Sequence, residues 1–287
     1  MPHQCFSNHT QFLEQGKIEP VDQSEWASPC MLVAKKICDF RLVNFQKTVN
    51  VQCKTFLHPP PKPNDIFAKL SAAKRFCLID PADALTEVEL DPSSQELVVF
   101  NTPHRGLFKC KRLMYGIDSA PGIFQSIMDK VISGLSCTVA YQDDALTWGT
   151  SKADCAENVD LLLQRLQAHK ILINMSKCKW FVTELEYLGY VLFPEGRRPS
   201  PRLVSAVVNA PKPENVRQLR GFLGLVTFYA QFLPNMSTIL HPLNNLTRIG
   251  VQYQWDEKCT EAFNAAKQVL VQRGLLIHFN PDLELVL

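Results

Sequence analysis

Asp143 and Asp144 stand side by side between two short apolar runs, 138–141 and 145–148. Such runs around a polar pair predict a β-hairpin with the carboxylates at its tip. Adjacent anions repel, and a hairpin of this kind closes more comfortably on Asn-Gly. A divalent cation is the common compensation, and magnesium prefers a few carboxylates plus substrate phosphates and retained waters. Asp80 is the candidate third ligand, because it ends the apolar run 76–79, which predicts a buried strand. Three carboxylates holding two metal ions suit nucleotidyl transfer. The plain alternative is an exposed Asp-Asp turn with Asp80 as a cap, and the residues alone leave both open.

Elsewhere the pattern mixes strands and helices. A short strand is expected within 31–40, and 58–63, His-Pro-Pro-Pro-Lys-Pro, predicts an extended connector. Asn64 is read as the N-cap of a short helix through Leu70. The segment 76–90 reads as a strand pair. A helix is expected over 118–132, with Ile123, Phe124, Ile127, Met128 and Val131 at helical spacing and Gly134 as its stop. Ser151 opens another, and 179–192 is strand-like. Leu219, Phe222, Leu223 and Val226 make an apolar stripe, and a last helix runs from about Glu257 to Arg273. The sum predicts an α+β chain with a core sheet backed by helices and a largely helical C-terminal third.

Composition excludes some classes. The chain has 287 residues, 46% hydrophobic and 20% charged, which fits a folded globular protein. Its longest apolar stretch, 221–233, is too short to cross a bilayer, and the first residues show no secretory pattern, so an intracellular protein without membrane attachment is expected. The ten cysteines form no CxxC pair and are expected as buried apolar residues. Net charge is only +2, yet from Arg197 to Gly250 the sole acid is Glu214 among Arg197, Arg198, Arg202, Lys212, Arg217, Arg220 and Arg248. Such a segment attracts polyanions.

Ordered motifs then carry a resemblance. Tyr141-Gln142-Asp143-Asp144 resembles the Tyr-x-Asp-Asp motif of reverse transcriptases, and Leu78-Ile79-Asp80 matches the segment of their first catalytic aspartate. Residues 113–125 resemble the family's Leu-Pro-Phe-Gly-(x)3-Ala-Pro-x-x-Phe-Gln segment. Lys177-Cys178, Tyr187-Leu188-Gly189-Tyr190 and the 219–232 segment resemble its downstream elements. The resemblance runs from about Gly16 onward and is nearest to the Pol polyproteins of gypsy-type long-terminal-repeat retrotransposons.

That resemblance implies an RNA-directed DNA polymerase folded as a right hand, with a palm of antiparallel sheet backed by helices. Fingers would occupy 1–55 and 91–120, palm 56–90 and 121–196, and thumb 197–246. Residues 247–287 would begin a connection toward a missing RNase H domain. Asp80, Asp143 and Asp144 would bind two Mg2+ ions, with Mn2+ as a substitute. Lys36, Arg41, Asp83, Ala84, Leu85, Tyr115 and Gln125 would face the incoming dNTP. Tyr141, Lys177, Arg217 and Arg220 would contact an RNA or DNA template with its primer. Oligomeric state is not implied.

The chain departs from the family pattern at four places. Leu85 replaces the Tyr or Phe that excludes a 2′-hydroxyl, which predicts weak rejection of ribonucleotides. Lys35–Asp39 is shorter than the family's fingers-tip segment. Pro81 follows the first aspartate. Met114-Tyr115 replaces Pro-Phe, and Thr86-Glu87 replaces an apolar-Gln pair. The alternative these departures raise is a catalytically degenerate remnant that keeps the fold and nucleic-acid binding. A viral RNA-copying polymerase lacks support without Gly-Asp-Asp. A metal-dependent phosphoesterase would need further ligands, for which His104 is the nearest candidate.

Overall fold

The structure, a computed structural model, describes residues 10, 12–34, 40–44, 47–53, 56–102, 105–229, 235–272 and 276–277. The chain divides into two compact units. The first comprises 1–62, 77–149 and 153–180; the second comprises 63–76, 150–152 and 181–287. Lys36 and its neighbours 35–39 lie outside the described residues, as do His104 and Gly274.

Two sheets organise the first unit, although the first two residues of β4 and the last two of β9 are counted with the second unit. Their strands are β1 (Ile18–Val21), β2 (Ser28–Ala34), β3 (Phe40–Asn44), β4 (Arg75–Ile79), β5 (Val99–Thr102), β6 (Gly106–Cys110), β7 (Thr138–Tyr141), β8 (Asp144–Gly149) and β9 (Lys179–Val182). One sheet runs β1-β6-β5-β2-β3, and the other β7-β8-β4-β9. In the first sheet only β2 and β5 pair in parallel, with Ser28 opposite Phe100. In the second, β7 and β8 form the predicted hairpin, with Thr138 opposite Thr147 and Tyr141 opposite Asp144. The two threonine hydroxyls bond across the strands at 3.0 Å, which satisfies both polar groups inside the core.

Helix α1 (Ala120–Val131) turns Phe124, Gln125, Met128 and Val131 inward. Helix α2 (Lys152–Ala168) buries Cys155, Val159, Leu162 and Leu166. Their apolar faces join Ile79, Leu85, Phe100, Phe108 and Met114 in one cluster. Each such side chain contributes about 1.5–3 kcal/mol on leaving water. Cys77, Cys110, Cys155 and Cys178 are buried in this unit and Cys259 in the second, as expected, whereas Cys53 is exposed and Cys137 half-buried.

Several local expectations needed correction. The segment 76–90 is not a strand pair: after β4 the chain makes a 3-10 turn, Ala84–Glu87. Pro81 supplies no ladder donor and Asp83 is left-handed at φ 46°, so an extended second strand cannot form there. Pro81 itself lies beyond the last residue of β4, where β4 needs no amide from it. Its neighbour Ala82 donates instead to Leu172 O at 2.8 Å. Asn64 does not cap its helix, which begins at Pro63; its side-chain oxygen accepts from Arg197 at 3.3 Å.

In the second unit β10 (Leu185–Tyr187), β11 (Tyr190–Phe193), β12 (Gly196–Pro199) and β13 (Leu276–Ile277) form a sheet in that order. Leu188 and Gly189 turn the first hairpin at φ 48° and 83°. A Cβ on Gly189 would meet the Phe228 ring at 3.1 Å. Helices α3 (Pro201–Val208), α4 (Val216–Tyr229), α5 (Met236–Asn245) and α6 (Glu257–Gln272) follow. The stripe read from the sequence is the buried face of α4, where Leu219, Phe222, Leu223 and Val226 are joined by Tyr229. Phe222 meets Phe263 of α6 at 4.5 Å between ring centroids.

Gly149 ends β8 where α2 begins to pack, and a Cβ there would lie 2.3 Å from Cys155 N. Backbone cannot yield as a side chain can. Gly149→Ala is therefore expected to cost about 3 kcal/mol, read as a lowered urea midpoint. A midpoint equal to wild type would contradict this packing.

Candidate active site

Asp80, Asp143 and Asp144 all belong to the first unit. Asp80 follows the last residue of β4, and its backbone is strapped from both sides. Its carbonyl accepts from Asn174 N–H at 2.8 Å, and its own N–H donates to Cys178 Sγ at 3.4 Å. Cys178 in turn donates to Asn174 O at 3.3 Å. The 174–178 loop thus fixes where the first carboxylate leaves the sheet. Sequence reading noticed Lys177-Cys178 but not Asn174, whose part is played by backbone that no side-chain pattern reveals.

The other two carboxylates sit on the β7–β8 hairpin. Gln142 and Asp143 form its two-residue turn, and Gln142 takes the left-handed conformation at φ 51°, the kind of turn residue a tight hairpin demands. Asp143 is exposed, whereas Asp144 is half-buried at the start of β8. Burial, then the negative charges of Asp80 and Asp143, push the Asp144 carboxyl up to about 6, with Lys177 pulling the other way. Lys177 reaches Asp80 Oδ1 at 3.4 Å and Oδ2 at 3.5 Å. The field of the three acids therefore overlaps, with one ammonium beside it.

Even so, among the described residues no group of three His, Cys, Asp or Glu side chains is arranged to hold a metal ion. The expected ready-made cage is absent. Asp80 pairs with Lys177 at 3.4 Å.

The other predicted site residues take varied places. Tyr141 is half-buried and ends β7. Tyr115 is partly buried against the core cluster. Asp83 is exposed, and its carbonyl accepts from Thr86 Oγ1 at 3.0 Å. Ala84 opens the 3-10 turn. Leu85 is buried in the core, 5% exposed. Arg41 lies in β3 opposite Val33. Lys36 is outside the described residues. Gln125 is 1% exposed, and its amide is engaged by protein: Oε1 accepts from Gln142 N–H at 2.7 Å, and Nε2 donates to Ala140 O at 3.0 Å. It is thus a buttress under the hairpin tip, without the surface a direct nucleotide contact requires.

Arg217 and Arg220 belong to α4 in the second unit, both exposed. Arg220 donates to Thr247 O at 3.0 Å. Other cations of the basic segment are engaged within that unit. Arg197 stacks on Phe67, with the guanidinium carbon 4.2 Å from the ring centroid, and burial pulls its pKa down. Arg198 pairs with Glu184 at 2.9 Å. Arg202, Arg217 and Arg248 remain as exposed cations.

Comparison with known proteins agrees with this architecture. Residues 30–192 match the family model described as reverse transcriptase (RNA-dependent DNA polymerase). The Tf2-3 and Tf2-7 transposon polyproteins of Schizosaccharomyces pombe are each 30% identical over 256 residues, 88% of this chain. The chain spans 19% of the length of those polyproteins. A foamy viral protease-reverse transcriptase in complex with dsDNA superposes with TM-score 0.89 at 20% identity, covering 98% of this chain and 59% of that one. The same viral protein in complex with an RNA/DNA hybrid gives 0.81 at 21% identity, covering 94% and 37%. Among the described residues no helix is long and apolar enough to cross a membrane. By motif, relatives and fold together, the chain belongs to the reverse transcriptase family, the RNA-dependent DNA polymerases found in retrotransposon polyproteins.

Proposed function

We propose that this domain extends a primer 3′-hydroxyl with deoxynucleotides on an RNA or DNA template, using Asp80, Asp143 and Asp144 as its catalytic carboxylates. The observation that carries this is the placement of the acids: β4 and β8 are neighbours in one sheet, Asp80 follows β4, and Asp144 opens β8 beside Asp143. Three hard carboxylate oxygen donors fit divalent magnesium, with manganese as a substitute. Bound there, such ions would supply charge neutralisation for the triphosphate and a more acidic primer hydroxyl.

The chain's own residues set the stage for this. Asn174 and Cys178 hold the Asp80 backbone, and Gln125 holds the hairpin tip. Lys177 screens the acids where a polyanionic substrate must approach. The hand-like division, with fingers at 1–55 and 91–120, palm at 56–90 and 121–196, and thumb at 197–246, is part of the same proposal. Arg217 in the thumb has its place at template–primer phosphates, an interaction weakened by salt.

The departure at Thr86-Glu87 does not favour the degenerate remnant. Lys17, only 8% exposed, donates to Thr86 Oγ1 at 3.1 Å and pairs with Glu87 at 2.7 Å. A buried cation needs such partners, so the polar pair is matched by its environment.

Primer extension on poly(rA)/oligo(dT) tests the proposal. Wild type is expected to extend in Mg2+, and the Asp143→Asn/Asp144→Asn variant to lose activity by at least about 100-fold. Equal silence of both proteins, with nucleic-acid binding retained, would establish the remnant instead. Leu85 is packed into the core and supplies no aromatic ring at this position, so discrimination against ribonucleotides should be weaker than in a relative with Tyr or Phe; matching rejection ratios would refute this.

A stability measurement addresses the carboxylates without catalysis. Because folding raises the Asp144 carboxyl from 3.8 to about 6, its ionised form burdens the folded state. That burden is full above about pH 6 and vanishes below pH 3.8. Two pH units correspond to at most ~3 kcal/mol, and solvent screening reduces this to on the order of 1 kcal/mol. Asp144→Asn should therefore melt higher than wild type at pH 8 and equally at pH 3.5. Added Mg2+ should raise the wild-type melting temperature more than the variant's. A variant that melts lower at pH 8 would show that the charges do not crowd.

A further inference from the structure

Gln125 anchors one end of a hydrogen-bonded chain that runs away from the catalytic hairpin. Its Nε2 also donates to Asp129 Oδ1 at 2.9 Å, one helical turn further along α1. Asp129 Oδ2 then lies 2.7 Å from His58 Nε2. A carboxylate only accepts, so His58 Nε2 carries the proton in this contact. The line from surface to tip is His58, Asp129, Gln125 and the Gln142 amide, all in the first unit.

The spacing on α1 makes this line possible. Gly122, Gln125 and Asp129 fall at i, i+3 and i+7, on one face of the helix. At Gly122 the connector before the prolines comes so near that an added Cβ would lie 3.1 Å from Phe56 O and 3.5 Å from His58 O. The bare helix surface there lets His58 approach Asp129.

We infer that Asp129, backed by His58, is a positioning residue that sets the catalytic hairpin tip by fixing which way the Gln125 amide points. This rests on the assignment of Asp143 and Asp144 as catalytic. A primary amide has one accepting end and one donating end. The Gln142 N–H needs the oxygen, and the Ala140 carbonyl needs the NH2 group. The Asp129 carboxylate reinforces that orientation, since a flipped amide would set oxygen against carboxylate and NH2 against N–H. With the amide so held, Gln142 is kept in its left-handed turn, and Asp143 follows at the next residue.

The test uses the full chain and compares Asp129→Ala with Asp129→Asn. Asparagine keeps an oxygen for Gln125 and can meet the other tautomer of His58. Hydrogen exchange is read at the Gln142 amide, with Leu146 and Met128 as core references. Asp129→Ala should speed exchange at Gln142 by about tenfold and leave the references unchanged, while Asp129→Asn stays within about twofold of wild type. In primer extension the alanine variant should lose turnover by about tenfold and need more Mg2+ for half-maximal rate, with the dNTP KM little changed. Unchanged exchange at Gln142, or acceleration shared equally by the reference amides, overturns the inference. Normal turnover and Mg2+ requirement in Asp129→Ala also overturn it. Selective release of the Gln142 amide in a protein whose wild type extends no primer would instead overturn the polymerase proposal and leave the positioning line intact.

Discussion

Mutual repulsion among three carboxylates is the constraint on which the rest of the first unit turns. Asp144 cannot move away, because it opens a strand opposite Tyr141. Asp80 cannot, because Asn174 and Cys178 hold its backbone. Burial first, and then the charges of Asp80 and Asp143, make the Asp144 carboxyl resist ionisation. Hydrogen bonds and a packed core of helices behind the sheet oppose the repulsion. A site with this tension accepts positive charge readily, which is what a substrate carrying phosphates and metal ions brings.

Several departures from the family pattern lose their force once their surroundings are visible. Pro81 lies two residues past the end of β4 and packs in an isolated bridge opposite Ile173, so its lack of an amide removes no ladder bond. Glu87 faces Lys17, which also lies near the Phe12 ring. These are paired changes of environment, and a pair seen one member at a time looks like damage. Leu85 differs, because it packs among the apolar side chains of the core cluster.

The second unit shows how charge counts mislead about binding. Seven cations against one acid suggested a polyanion surface, yet Arg197 lies over the Phe67 ring and near that of Tyr190. Lys212 lies over the Trp255 ring, and Arg198 and Arg220 have protein partners. Arginine and lysine stems pack on aromatic faces as readily as they meet phosphates. On α3 and α4 the exposed cations are Arg202, Arg217 and Arg220, the last of them also bonded to Thr247 O.

The sequence by itself determined the hairpin that carries Asp143 and Asp144, the helix beginning near Ala120, the apolar stripe of α4 and the family. Each of these is a local signal, set by side-chain period, turn chemistry or a contiguous motif. Tertiary structure alone decided what is non-local. It placed Gln125 beneath the tip, His58 against Asp129 across 71 positions, and Lys177 beside Asp80 across 97. It also made 81–87 a turn followed by the 3-10 segment 84–87, where alternation suggested a strand. The physical reason is that a hydrogen bond between distant residues leaves no periodic trace in the chain. Its donor and acceptor are chosen by how the sheet and helix pack, and only the folded molecule brings them together.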